Sequence, residues 1–148
     1  MSALSAEELI RELQLAPHPE GGWYCESYRD TQASSDGRAR STAIYFLLKA
    51  GEASHWHRID ASEIWLWHAG ASLELSISTD GLKTHAHRLG VDIAAGERPQ
   101  AVVPPHAWQS AKSLGEWTLV SCVVAPGFLF SAFEMAAYGW RPGAAATE

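Results

Sequence analysis

The chain has 148 residues, of which 47% are hydrophobic and 19% charged, and its formal net charge is −6 at pH 7. This length and composition are typical of one folded domain, residues 1–148, and exclude a disordered chain. The acidic balance without a basic run argues against a nucleic-acid partner. No apolar stretch approaches the ~20 residues that span a bilayer, and the acidic N-terminal segment is unlike a signal peptide. We therefore expect a cytoplasmic protein with no membrane partner.

The N-terminal segment predicts one amphipathic helix over residues 5–15. Ser5 and Glu8 have the spacing of a capping box, and apolar residues at 9, 10 and 13 follow with helical periodicity. The segment 18–22, HPEGG, then ends the helix because proline and glycine both disfavour its continuation.

The following part of the chain carries strand patterns almost throughout. Aromatic and β-branched residues predict strands at 22–29, 41–48, 54–60, 63–68, 72–78, 82–89, 101–103, 107–112 and 117–124. Many short strands separated by turns favour an all-β barrel or sandwich over residues 22–124. A short helical segment is expected near 131–138, and residues 140–148 are expected to fray.

The clearest chemical pattern lies between residues 51 and 70. His55 and His57 are two positions apart in a predicted strand, so their side chains should share one face. Residues 60–62 can reverse the chain, and Glu63 would then begin the returning strand on that face. Two imidazoles and a carboxylate suit a divalent transition metal such as Zn, Fe, Mn or Ni.

This stretch resembles the first motif of the cupin superfamily, in which a glycine, a His-x-His pair, a glutamate and a second glycine follow one another. The segment 104–109 resembles the second cupin motif, but Gln109 stands where the family has a histidine ligand. The resemblance implies a metal held by His55, His57, Glu63 and Gln109. An amide oxygen is a weaker ligand than imidazole, so a metal-free pocket with the same groups as hydrogen-bonding partners is the alternative.

More closely, residues 5–138 resemble a bacterial and eukaryotic family of cupins of unknown function, similar to the deoxysugar-epimerase-like cupins. The resemblance rests on HPEGGWYCESYR (18–29), STAIYFLL (41–48), SHWHRIDASEIWLWHAG (54–70), VVPPHAWQSA (102–111) and LVSCVVAPGFLFSAFEM (119–135). It implies a double-stranded β-helix, or jelly-roll barrel, that usually pairs as a homodimer.

The leading functional hypothesis is a cupin-type enzyme that acts on a small molecule. A bound metal would act as a Lewis acid or, if iron, bind dioxygen. A metal-free site would work as an isomerase or epimerase of a sugar or sugar nucleotide, with His57 or Glu63 as general base. The alternatives are a non-catalytic ligand-binding module and an oligomerisation domain with a vestigial pocket.

Four further residues are candidates for substrate binding. Arg29 ends the first long strand and could hold an anionic group in a bidentate contact. Tyr45 lies in the middle of a strand, and alternation does not decide which face it occupies. Trp65 and Trp67 should share the face of Glu63, where indole rings are platforms for a sugar or nucleobase.

Overall fold

The computed structural model describes residues 4–144 of the chain. The N-terminal helix α1 (Ala6–Glu12) begins after Ser5, whose hydroxyl accepts a hydrogen bond from the backbone of Glu8 while the Glu8 carboxylate accepts one from the backbone of Ser5. This capping box confirms the predicted start of the helix. The helix ends earlier than residue 15, because Gln14 takes a left-handed conformation (φ 56°) that turns the chain away.

Eleven strands follow or flank the helix. In chain order they are β1 (Ala16–Pro17), β2 (Trp23–Arg29), β3 (Thr42–Lys49), β4 (Ala53–Arg58), β5 (Ser62–Gly70), β6 (Leu73–Ser78), β7 (His85–Leu89), β8 (Gln100–Val103), β9 (Trp108–Ser113), β10 (Trp117–Ala125) and β11 (Glu134–Met135). Two 3₁₀ helices lie at Ile93–Ala95 and Phe130–Ala132.

The strands form two antiparallel sheets. The first sheet has the order β1-β2-β3-β10-β5-β8, and the second has the order β11-β4-β9-β6-β7. This arrangement confirms the predicted all-β jelly-roll fold with a short N-terminal helix. No helix within residues 4–144 has the length and apolar character required to cross a membrane.

Strand alternation decides what enters the space between the sheets. In β10, Thr118, Val120, Cys122 and Val124 are buried, whereas the residues between them are half-buried on the opposite face. The centre of the core consists of large apolar side chains, among them Phe46, Leu48, Trp65, Leu73, Leu75, Leu89 and Val120. These side chains occupy the space between the two sheets.

The C-terminal segment differs from the sequence-based expectation. The 3₁₀ helix stops at Ala132, and Glu134 and Met135 instead form β11, which pairs with Arg58 and His57 of β4. The helix predicted over 131–138 is wrong beyond 132, because the free edge of β4 gives this backbone hydrogen-bonding partners that a helix would not use.

Residues 140–144, part of the predicted frayed tail, pack against the second sheet. The Trp140 ring lies 4.7 Å from that of Trp108, and the Gly143 amide donates to the Gly81 carbonyl at 2.9 Å. Residues 145–148 lie outside the described part of the chain.

Candidate active site

A β-bulge in β4 sends His57 into the barrel and leaves His55 outside. Ser54 pairs with Ala111 and His57 with Gln109, so three steps along β4 match two steps along β9. Ser54 and His57 are consequently both buried, and His55 is exposed. The prediction that His55 and His57 share a face is wrong, because the extra residue breaks the period of two on which it depended.

His57 is held at both ring nitrogens. Nε2 lies 2.7 Å from a carboxylate oxygen of Glu20, and Nδ1 lies 2.7 Å from the carbonyl oxygen of His55. Both partners accept hydrogen bonds, so each nitrogen carries a proton and the ring is an imidazolium. Burial by itself would lower the pKa of His57, but the charge and hydrogen bond of Glu20 outweigh it and raise that pKa to about 9.

Glu20 connects the segment 18–22 to β4. Its carboxylate also accepts a hydrogen bond from the Ser54 hydroxyl at 3.0 Å, and its backbone carbonyl accepts one from the His55 amide at 2.7 Å. Burial opposes the ionised form, but the neighbouring imidazolium of His57 holds the pKa of Glu20 below its usual value. Glu20 and His57 therefore form a buried ion pair.

Gly21 allows this close approach. It has a φ of 104°, and a Cβ atom added to it would lie 2.2 Å from the carbonyl oxygen of Ala53. His18 and Glu20 were missed as site residues, although their segment, 18–22, ends the helix and belongs to the family resemblance. The sequence feature that could have indicated them is an acidic residue followed by two glycines, because glycine allows backbone to approach another strand closely.

Glu63 lies on β5 and is linked to Gln109 and Trp65. The Gln109 amide donates to the Glu63 carboxylate at 2.8 Å, while the amide oxygen of Gln109 accepts from the Trp65 indole at 2.9 Å. The indole, which can only donate, fixes the orientation of the amide. Burial raises the pKa of Glu63 to about 7, with a further contribution from Glu20 and opposition from His57.

Cys122 on β10 is the neighbour of Glu63 on the other side. The thiol is buried, and both its burial and the charge of Glu63 raise its pKa well above the usual value. The sequence analysis did not assign this cysteine to the site. A protonated thiol beside Glu63 acts as a weak hydrogen-bond donor rather than as a nucleophile.

The donor groups do not fit the predicted metal. The structure arranges no group of three His, Cys, Asp or Glu residues for metal binding within residues 4–144. Both nitrogens of His57 carry protons directed at acceptors, the oxygen of Gln109 is occupied by Trp65, and His55 faces away. The four predicted ligands therefore do not assemble in this arrangement.

These groups line a partly enclosed cavity of about 30 Å³ at one end of the barrel. Its lining residues are His18, Glu20, Tyr24, Thr42, Ile44, His57, Ile59, Glu63, Cys122, Val124, Phe128 and Phe133. This volume accommodates one or two water molecules or a single small functional group. The cavity thus combines a polar interior, which contains the two carboxyl groups and two imidazoles, with an apolar wall.

A wider groove of about 290 Å³ lies beside the cavity. The residues that line both spaces are Tyr24, Thr42, Ile44 and Phe128. Arg29 lines the groove, not the inner cavity, and its guanidinium forms an ion pair of 2.7 Å with Glu26. The shared lining places the groove directly next to the cavity.

The segment 126–133, between β10 and β11, closes one end of the cavity. The ring of Phe133 stacks on His57 at 5.2 Å, and Phe128 packs against Phe133 at 6.0 Å. Arg38 anchors the segment through a hydrogen bond of 2.7 Å to the Gly127 carbonyl and a bidentate contact with Asp60 at 2.8 Å. The apolar wall is therefore fixed to the turn that precedes β5.

The aromatic residues predicted to bind substrate lie elsewhere. Tyr45 packs in the outer layer beneath α1, together with Leu47 and Trp23. Trp65 is buried in the core, and the Trp67 indole donates to the Ala71 carbonyl at 2.9 Å. Tyr45, whose face alternation left undecided, therefore lies under the helix and away from the cavity. Trp65 and Trp67 do not form the expected ligand platform, because Trp65 is buried in the core and neither indole lines the cavity.

Comparisons with known proteins agree with this fold. A model of the cupin superfamily (DUF985) matches residues 7–136. A protein from Shewanella oneidensis is 40% identical, with a TM-score of 0.88, over 91% of this chain and 86% of that one. A hypothetical protein from Leishmania major is 32% identical, with a TM-score of 0.84, over 93% and 90%. No match was found among the curated proteins.

More distant similarity extends to oxalate decarboxylase from Bacillus subtilis. It is 16% identical, with a TM-score of 0.61, over 80% of this chain and 29% of that one, which shows a shared fold alone. That enzyme has Mn(II) centres. The jelly-roll topology and the match over residues 7–136 show that the chain belongs to the cupin superfamily, in the family DUF985.

Proposed function

We propose that the chain is a metal-independent enzyme that moves a proton on a small α-hydroxy carbonyl compound, as isomerases and epimerases do. The observation that carries this proposal is a buried carboxyl group, Glu63, with a pKa of about 7 in a cavity that also contains the His57 imidazolium. Groups with pKa values displaced in this way by burial and fixed partners are frequent in active sites.

Glu63 is the general base in this proposal. A base works best when its pKa lies near the working pH, and Glu63 meets that condition. His57 already carries both ring protons and has no free lone pair, so it cannot take a proton. Its positive charge instead favours negative charge that develops in the cavity.

The reaction balances without an oxidant or cofactor. The Glu63 carboxylate removes the proton from the carbon next to the carbonyl group, so the C–H bond breaks and an O–H bond forms on Glu63. The electron pair moves into a carbon–carbon double bond, and the carbonyl oxygen takes the negative charge. Return of a proton to the other face of the same carbon, with re-formation of the carbonyl group, gives an epimer. Return to the former carbonyl carbon, with transfer of the neighbouring hydroxyl proton to the oxygen that took the charge, gives an isomer.

The size of the site limits the substrate. The inner cavity of about 30 Å³ receives the reacting carbonyl group, and the groove of about 290 Å³ holds the remainder. A sugar nucleotide loses the support of Trp65 and Trp67, since neither lines the cavity. Short hydroxy ketones and free sugars are the substrate class that the site favours.

Deuterium incorporation tests the proposal. We expect the protein, treated with a chelator, to exchange the α-hydrogens of hydroxyacetone, dihydroxyacetone or a free monosaccharide in D₂O, measured by proton NMR. Glu63→Gln should slow this exchange by about 10²–10⁴-fold. Glu74→Gln, the same change on the outer part of β6, should not alter it.

Two results would contradict the proposal. One is an unchanged exchange rate in Glu63→Gln, and the other is an activity that chelation removes and one added metal ion restores. Binding of these compounds without any exchange would support the second candidate, a non-catalytic ligand-binding module. The small size and apolar wall of the inner cavity favour that candidate, because such a site retains a small group well without needing to react with it.

A further inference from the structure

His18 is the buried titratable residue of the cavity that the proposed reaction leaves without a role. It lies in the segment before β2 and is 9% exposed. Its amide donates to the Gly22 carbonyl at 2.9 Å, and its carbonyl accepts from the Gly21 amide at 3.0 Å. Because the turn is closed on both sides, the backbone of His18 is fixed relative to the barrel.

The imidazole ring is also fixed by aromatic neighbours. The centre of the Tyr24 ring lies 4.4 Å from the centre of the imidazole ring, with an angle of 68° between the two planes. The centre of the Phe46 ring lies 5.8 Å away, with an angle of 83°. A ring with neighbours on two sides has one preferred orientation. The two ring nitrogens of His18 therefore have distinct and constant surroundings.

The hydrogen bond at Nδ1 determines the tautomer. Nδ1 has two neighbours, the Glu20 backbone amide at 3.1 Å, which can only donate, and a Glu20 carboxylate oxygen at 3.5 Å, which can only accept. The shorter contact has the geometry of a hydrogen bond, so Nδ1 carries the lone pair. The ring proton is then on Nε2. Burial lowers the pKa of His18, and the nearby His57 imidazolium lowers it further, although Glu20 opposes both effects. His18 is thus a neutral imidazole with an N–H at Nε2.

The other ring nitrogen, Nε2, has no protein partner among the described residues. Within residues 4–144, His18 has a hydrogen bond at Nδ1 and none at Nε2. Every fully shielded side-chain nitrogen or oxygen in this range has a partner, so Nε2 retains accessible surface. Since His18 is 9% exposed and lines the cavity, we take that surface to open into the cavity. The N–H is a donor that a bound molecule can satisfy.

The charges of the lining residues define what that molecule can be. No Lys or Arg is among the residues that line the inner cavity. The charges of Glu20 and His57 offset each other, and Glu63 adds negative charge when it ionises. An anion would therefore lack a free cationic partner and would be repelled by Glu63, whereas a neutral oxygen acceptor needs only one N–H donor.

We propose that the Nε2–H group of His18 donates a hydrogen bond to the carbonyl oxygen of a neutral ligand in the inner cavity. This inference rests on the proposed function and supplies its missing electrophile. As Glu63 removes the α-proton, the carbonyl oxygen gains negative charge, and the fixed N–H bond strengthens with that charge. The proton on Nε2 stays on His18, and the proton on Glu63 returns to carbon.

The tautomer is tested on the unaltered protein. Histidine labelled with ¹⁵N should show His18 as a neutral ring with its proton on Nε2 at pH 7, assigned with the help of His18→Gln. Hydroxyacetone should shift the Nε2 and Nε2–H resonances, whereas glycolate, which replaces its methyl group with a negative oxygen, should not. A proton on Nδ1, or no response to hydroxyacetone, would overturn the proposal.

Variants test the effect on the reaction. His18→Phe retains a ring without the donor and should lower the exchange rate of hydroxyacetone by about 10²–10³-fold. His18→Gln, whose amide can donate from a similar position, should recover part of that loss. His85→Gln, the same change at an exposed histidine of β7 that lines neither space, is expected to leave the rate unchanged. Near-UV circular dichroism checks that each variant is folded.

The two proposals fail in different ways. If hydroxyacetone shifts the His18 resonances but no exchange occurs, the catalytic function fails and the role of His18 as donor stands. If exchange depends on Glu63 but His18→Phe reacts at the wild-type rate, or if His85→Gln causes an equal loss, the donor assignment is wrong.

Discussion

The pKa values of His57 and Glu63 are raised for different reasons: Glu20 stabilises the charge of His57 against the effect of burial, whereas burial itself raises the pKa of Glu63. His57 is clamped between the Glu20 carboxylate and the His55 carbonyl, and Glu63 receives one hydrogen bond from Gln109. His57 thus stays charged at neutral pH, whereas Glu63 titrates there. A single barrel interior therefore contains one permanent cation and one group that can exchange a proton.

This difference predicts the pH dependence of the proposed reaction. The rate should rise as Glu63 ionises through a pKa of about 7, because a base must be deprotonated to act. It should fall again as His57 loses its proton through a pKa of about 9, because the positive charge is then lost. Deuterium exchange of hydroxyacetone from pH 5 to 10 measures this profile. A rate that is already maximal at pH 5 would show that Glu63 is not the base.

Trp65 has a structural role that depends on its indole N–H group. Trp65→Phe removes the N–H that satisfies the buried oxygen of Gln109, and we expect it to destabilise the fold by about 1–3 kcal/mol. Trp67→Phe is the matched control, because its indole bonds a carbonyl near the edge of the sheet and should have a smaller effect. The midpoints of urea unfolding compare the two, and an equal loss would show that the Gln109 contact has no special weight.

At the scale of elements, the strands were predictable and their irregularities were not. Aromatic and β-branched runs predicted the nine longer strands, from β2 to β10, within a few residues. The bulge in β4 has no mark in the sequence, because neither glycine nor proline lies between Ser54 and His57. Alternation therefore gave the correct face for Glu63 and the wrong face for His55.

The cavity wall was equally out of reach of pattern analysis. The segment 126–133 has no periodicity that indicates where it lies, and contacts distant in sequence decide its place. Arg38, which is 89 residues away from Gly127, bonds its carbonyl, and Phe133 stacks on His57. Capping, turns and strand propensity act locally, so they carry no information about such contacts.

The Arg38 contact gives a prediction for this element. Arg38→Gln removes the bidentate pair with Asp60 and weakens the bond to Gly127, so we expect a loss of about 2 kcal/mol. The loss should be local, with faster amide hydrogen exchange at Gly127 and Phe128. Exchange in β6 serves as the internal reference. Equal acceleration in both places would contradict a specific role in fixing the cavity wall.

At the scale of the whole molecule, the site forms because strands from both sheets meet at one end of the barrel. Glu20 comes from the segment before β2, His57 from β4, Glu63 from β5 and Cys122 from β10. The resemblance of the sequence to cupins predicted this convergence for His57 and Glu63. Glu20 and His18 could not be placed, because their contact with β4 depends on the path of the chain around the sheet edge.

The outer face of the first sheet suits a second copy of the chain, as expected from the resemblance. One row of apolar residues crosses five strands in register, namely Tyr28, Ala43, Val123, Ile64 and Val102. Tyr28 and Val102 are 53% and 54% exposed. We predict that the chain forms a homodimer through this row, so light scattering should give twice the monomer mass. The double variant Val102→Glu/Ile64→Glu should give the monomer mass. A monomeric wild-type protein would contradict it.

The most direct test of the account is the protonation of Glu63 in protein freed of metal by a chelator. Carboxyl groups labelled with ¹³C can be titrated by NMR, with Glu63→Gln identifying the resonance. We predict a midpoint near pH 7, unchanged by added Zn²⁺ or Mn²⁺, because Glu63 is buried beside Gln109 rather than bound to an ion. A midpoint near the ordinary value of 4.5, or a resonance displaced by one of these ions, would contradict it.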